Sequence, residues 1–144
     1  MSLKVSRTAA RVRAFQVLYS LQFTPVSSAE ELKLAAEQVP EDADESTGLP
    51  APSPDFAWEM IKGVWANEAA LDAAIADYSR NWRVNRLGKV ERTVLRLALY
   101  EMKNHPDVPS RVIISEALNL AARFANDQAR HFINGILDAA AQSR

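Results

Sequence analysis

Apolar residues recur along this chain at helical spacing, and strand-type alternation is absent. Ala10, Ala14, Val17, Leu18 and Leu21 fall on one stripe and predict a first helix from about Ser6 to Phe23. Thr24-Pro25 stops it, because proline disfavours helix in the residue before it. Ser28 and Glu31 have capping-box spacing and open a short second helix. Ser53-Pro54 starts the next, with serine as N-cap and proline in the first turn. Phe56, Met60, Ile61, Val64, Leu71 and Ile75 predict that it runs unbroken to about Tyr78. A connector with Trp82, Arg83 and Arg86 leads to Gly88 and a helix from Lys89 to Lys103. Apolar residues cover about two-thirds of that helix's circumference, so it belongs at the centre of a core, with Arg92, Arg96 and Lys103 on a narrow exposed strip. Glu101 falls inside the apolar arc and should accept a specific hydrogen bond. After the turn His105-Pro106-Asp107-Val108-Pro109, a helix runs from about Arg111 to Ala125. Asn126 or Asp127 caps a last one that ends near Ala141. The fold class is all-α, with about seven helices joined by short links in a compact bundle.

A chain of 144 residues with 48% hydrophobic content has material for one core, and we expect a single domain over residues 1–144. Residues 39–54 are acidic, hold four of the seven prolines and read as an exposed loop rather than a domain boundary. The absence of cysteine excludes disulfides and cysteine-based zinc sites. No run approaches the roughly 18 apolar residues that a membrane span needs. Lys4 and Arg7 are not followed by the apolar core of a secretory signal, so a cytoplasmic protein with no membrane partner is expected.

The net charge of −1 conceals segregation. Residues 1–27 carry +4, residues 28–77 carry −10 and residues 78–144 carry +5, which suggests separate surfaces for separate partners. Catalysis finds no support. His105 and His131 lack ligands at metal spacing, and the four glycines are scattered, so neither a metal site nor a cofactor is predicted. The basic start is more informative. Arg7 lies one turn before Arg11, while Arg11 and Arg13 flank the apolar stripe. Guanidinium forks suit RNA phosphates, although a solvated helix face reads the same way. On the last helix His131, Asn134 and Asp138 share the polar face, and Ile133, Ile136, Leu137 and Ala140 face inward. Phe132, at the edge, suits either the core or stacking on an unpaired base.

Three blocks in register carry a family resemblance. The run Arg7-Thr-Ala-Ala-Arg11-Val-Arg-Ala14-Phe-Gln16-Val-Leu18-Tyr19 resembles the opening helix of the NusB family of transcription antitermination factors. Asn81-Trp82, Arg86-Leu87 and the stretch from Val90-Glu91-Arg92 to Tyr100-Glu101 are similar to its middle block. Asp107-Val108-Pro109, Ile114-x-Glu116-Ala117 and Phe132-Ile133-Asn134-Gly135-Ile136-Leu137-Asp138 complete the likeness, and only the acidic loop is foreign to it. The resemblance implies seven helices in two small bundles packed crosswise and no catalytic activity. It implies binding of single-stranded boxA RNA in ribosomal RNA leaders together with NusE, a small-subunit ribosomal protein. The assembly joins RNA polymerase and other Nus factors, suppresses termination and supports rRNA synthesis. By position, the RNA surface would include Arg7, Arg11, Tyr19, Phe124, His131 and Phe132, with Lys4, Arg13 and Arg130 adding charge. The NusE surface would include Trp82, Arg86 and Glu91, although Trp82 and Glu91 also suit a core anchor and a helix-start acid.

Thr8 and Ala9 stand where many relatives have arginines, His131 where lysine is common and Ser115 where asparagine is usual. Fewer fixed charges imply weaker, less salt-sensitive RNA binding. Two alternatives follow. One is a protein-only scaffold that binds NusE without RNA, and the other is a fragment of an rRNA methyltransferase that carries such a domain. Self-association as a homodimer stays open, because an arginine-rich first helix can be covered by a second copy.

Overall fold

The computed structural model describes residues 6–40, 51–80 and 87–144. The described residues form seven α-helices in order: α1 (Arg7–Leu21), α2 (Ala29–Gln38), α3 (Pro54–Ala66), α4 (Glu68–Tyr78), α5 (Lys89–Asn104), α6 (Ser110–Phe124) and α7 (Asp127–Gln142). They group into two compact units, Met1–Trp65 and Ala66–Arg144. The predicted connector residues Trp82 and Arg86 and most of the acidic loop lie outside the described residues.

In the first unit α1 packs on α2. Ser6 caps α1, its hydroxyl accepting from the Ala9 amide at 3.0 Å, and so supplies one of the bonds a helix start lacks. Ala10, Ala14, Val17, Leu18 and Leu21 of the predicted stripe are buried, together with Phe15. Each large buried apolar side chain contributes about 1.5–3 kcal/mol relative to exposure. The capping box forms with a shift. Ser28 Oγ accepts from the Glu31 amide at 3.1 Å, but the Glu31 carboxylate accepts from Ser27, one residue further upstream than the motif predicts, at 2.8 Å.

The unbroken helix predicted from Pro54 to Tyr78 is two helices. Asn67, with φ −119° and ψ 20°, separates α3 from α4. Asparagine is a weak helix former that favours caps. The apolar pattern hides the break, because Val64 and Leu71 are seven residues apart, close to two helical turns, so the stripe keeps its phase across it.

In the second unit α5 packs against α4, α6 and α7, and α6 packs on α7. Val94, Leu95, Leu97, Ala98, Leu99, Tyr100 and Met102 of α5 are all buried, as its composition predicts. Glu101 is buried too, and no buried side-chain nitrogen or oxygen among the described residues lacks a hydrogen-bond partner. Arg96 departs from the predicted exposed strip. Its side chain is only 12% exposed and forks onto Asp72 of α4, Nε to Oδ1 at 2.8 Å and Nη2 to Oδ2 at 2.7 Å. Glu68 adds an oxygen 3.7 Å away. Hydrogen bonding to Asp72 raises the Arg96 pKa above its ordinary value despite the opposing effect of burial. The α5–α6 turn is fastened by Arg144, which donates to the carbonyls of Met102, Val108 and His105 at 3.0, 2.6 and 2.6 Å.

Candidate nucleic-acid interface

The start of α1 is stitched to the chain entering α3. The Ser6 amide donates to the Ala51 carbonyl at 2.9 Å, and the Ser53 amide donates to the Ser6 carbonyl at 3.1 Å. This attachment brings Phe56 beneath the first turns of α1. The Arg7 guanidinium carbon lies 4.7 Å from the ring centroid of Phe56, and that of Arg11 lies 5.3 Å from it. Both distances suit cation–π contact. The two arginines then differ. Arg7 is exposed, whereas Arg11 is 6% exposed. A ring holds a guanidinium without cancelling its charge, so Arg7 remains a source of positive potential for an anionic ligand.

Arg13 points elsewhere. It donates to the carbonyls of Val39 and Pro40 at 2.5 and 3.2 Å and also to that of Ala36. The last carbonyls of a helix lack partners within it, so Arg13 closes the C-terminal end of α2 with a favourably placed cation. Tyr19 is half-buried in an aromatic ladder. It stacks on Phe15 at 5.7 Å with 10° between planes, and Phe23 meets it at 5.2 Å and 75°. The departures at Thr8 and Ala9 fall on half-buried and buried positions. A long cation at residue 9 would therefore compete with packing.

The second unit gathers the other predicted residues around the α6–α7 junction. Asn126 caps α7, its side-chain oxygen accepting from the Ala129 amide at 2.8 Å. Phe124 is half-buried at the end of α6, with the Arg123 guanidinium 5.0 Å from its centroid. His131 is exposed, Phe132 and Asn134 are half-buried, and Ile133, Ile136 and Leu137 are fully buried, which matches the predicted two-faced helix. Arg130 is exposed and lies 3.9 Å from Asp127, a fully exposed partner that holds it weakly. Two groups escaped the sequence reading, Phe56 and Arg123. Arg123 had a local signal, a cation adjacent to an aromatic. Phe56 had none, since its partners are more than 40 residues away in the chain.

Glu91 is half-buried in the first turn of α5. Its carboxylate folds back into the space that a Cβ on Gly88 would occupy, at the positive end of the helix. A cavity of about 310 Å³ in the second unit is lined by Leu71, Leu99, Met102, Tyr78 and Tyr100 among others. None of the predicted site residues lines it, and no carboxylate or histidine does. Among the described residues no three histidine, cysteine or acidic side chains are grouped to hold a metal ion.

Comparison with known proteins agrees over almost the whole chain. The NusB family model matches residues 8–142. A transcription antitermination protein NusB of Desulfovibrio desulfuricans is 48% identical over 140 residues, covering 96% of this chain and 85% of its own length. The solved structure of T. maritima NusB is 31% identical with a TM-score of 0.79, covering 99% of this chain and 94% of its own. A chain in the crystal structure of antitermination factors NusB and NusE in complex with double-stranded RNA shares the fold, at 24% identity and a TM-score of 0.69, with 96% and 97% covered. The chain belongs to the NusB family.

Proposed function

We propose that this protein is a non-catalytic transcription antitermination factor of the cytoplasm, folded as one functional domain. It binds boxA-type single-stranded RNA of rRNA leaders together with NusE, within an RNA polymerase complex that includes other Nus factors. The observation that carries this reading is the family match from residue 8 to residue 142. The geometry adds two supports. Arg7 is exposed with its charge intact above Phe56, and half-buried aromatics stand beside polar groups at Tyr19, Phe124 and Phe132. Phosphate contact positions single-stranded RNA, and aromatic faces receive its unstacked bases. Arg130 and His131 extend the basic and polar surface of α7. Trp82, Arg86 and Glu91 remain our candidates for NusE. No described helix is long and apolar enough to cross a membrane.

A second reading, a scaffold that binds NusE without RNA, is favoured by one observation. Arg11 is nearly buried and Arg13 is spent on main-chain carbonyls, so only Arg7 of the three is presented outward. Titration of a boxA-type RNA across a salt series, with and without NusE, separates the two. Binding that strengthens with NusE, weakens with salt and falls in Arg7→Ala establishes the RNA adaptor. A stable NusE complex that ignores RNA establishes the scaffold.

A further inference from the structure

We propose that Phe23 forms, with Tyr19, a stacking site for one unpaired base at the far end of α1, an inference that rests on the RNA-binding reading above. Phe23 lies just beyond the α1 C-cap and is 60% exposed. Its ring meets Tyr19 at 5.2 Å and 75°. Phe15 lies parallel to Tyr19 and is itself buried, so the ladder is rooted in the core at one end and open to solvent at the other. Two planes set nearly at right angles form a notch, in which a base can stack on one ring and set its edge against the other.

The backbone that carries the ring is held in place. The Phe23 amide donates to the Ser20 carbonyl at 3.1 Å, and the Thr24 amide and hydroxyl donate to the same carbonyl, each at 3.2 Å. Pro25 follows with its backbone angle fixed. A fixed backbone reduces the freedom lost when a ligand arrives.

The surroundings favour a base over a protein partner. Ser20, Gln22 and Thr24 border Phe23 in sequence, and the other exposed large apolar side chains among the described residues, Leu34 and Val112, lie on α2 and α6. Stable protein interfaces cover roughly 800 Å² per partner around a core of several apolar anchors. A nucleobase is the size of the ring itself.

The test compares the wild type with Phe23→Ala, Phe23→Leu and Phe23→Trp in the full-length protein with NusE present. The ligand is a short single-stranded boxA-type RNA carrying 2-aminopurine at one position at a time. Far-UV circular dichroism and thermal melts establish that each variant is folded. We expect Phe23→Ala and Phe23→Leu to weaken RNA binding roughly fivefold or more, with Phe23→Trp at or above wild-type affinity. The salt dependence should be unchanged, since no phosphate contact is removed. One 2-aminopurine position should be quenched by the wild type and brighten with Phe23→Ala. The proposal is overturned if Phe23→Ala binds RNA like the wild type, or if Phe23→Leu does, which would make the contact merely apolar. A loss confined to NusE affinity or self-association would assign the patch to a protein and also overturn it. If the wild type itself ignores RNA with NusE bound, the functional reading fails first and this inference with it.

Discussion

Arg96 in the second unit and Arg7 in the first are held by opposite kinds of group. In the second unit Arg96 is enclosed by carboxylates, forked onto Asp72 with Glu68 nearby, and its charge is used up inside the fold. In the first unit Arg7 rests on an aromatic ring, and Arg13 serves the carbonyl end of α2. A ring orients a guanidinium without cancelling its charge, whereas carbonyls occupy the N–H donors that a phosphate would need. The same residue type is thus a clamp where it faces an acid and a source of field where it faces a ring. A count of basic residues cannot tell these apart, although only the second kind attracts phosphate.

The sharpest way to break this comparison is to remove the ring. Phe56→Ala should destabilise the protein by about 3–5 kcal/mol, as expected for a buried aromatic truncated to alanine. The shift in urea midpoint measures it. Phe56→Leu retains most of the apolar burial and should lower RNA affinity by more than its small stability loss accounts for.

Next in size is the carboxylate clamp. Arg96→Ala should cost about 2 kcal/mol, since Arg96 is mostly enclosed while Asp72 is a third exposed and screened. A double-mutant cycle with Asp72→Ala measures the coupling, and RNA affinity should not change. The pH dependence has a definite sign. The folded pKa of Arg96 is raised, so its contribution is fully present below the unfolded value and is lost only as pH rises through the folded value. Stability measured between pH 6 and pH 9 should show no titration of Arg96.

Arg13→Ala removes the bonds at the end of α2 and should cost about 1 kcal/mol. Hydrogen exchange should accelerate in the last turn of α2 while the salt dependence of RNA binding stays as in the wild type. A lower salt slope in this variant would mean that Arg13 also serves RNA.

The smallest stability effect belongs to Arg7→Ala, within about 0.5 kcal/mol, as for an exposed side chain. Its RNA titration should nevertheless lose roughly one unit of salt slope, the signature of a single phosphate contact. An unchanged slope would remove the contrast between Arg7 and Arg96.

Much of the fold was legible in the sequence because its signals are local. Ser6, Ser28 and Asn126 each bond the amide three residues on, as short polar residues before a periodic run do. The central place of α5 followed from its apolar circumference, and the two faces of α7 from its spacing. The break at Asn67 was not legible, because an apolar stripe that holds its phase over seven residues looks the same whether or not the backbone is continuous. Nor was the fate of Arg96, whose acid partner lies 24 residues away on another helix.

The candidate interface divides along the same line. Sequence by itself determined which residue types are available, where the helices that carry them begin, and that the ends of the chain are basic while its middle is acidic. Tertiary structure alone decided that Arg7 is presented, Arg11 nearly buried and Arg13 spent on carbonyls, and that Phe56 lies under the first two. A guanidinium is the same chemical group in all three places. What it can do depends on whether a ring, a carbonyl or a carboxylate stands opposite, and that is set by segments remote in sequence that only packing brings together.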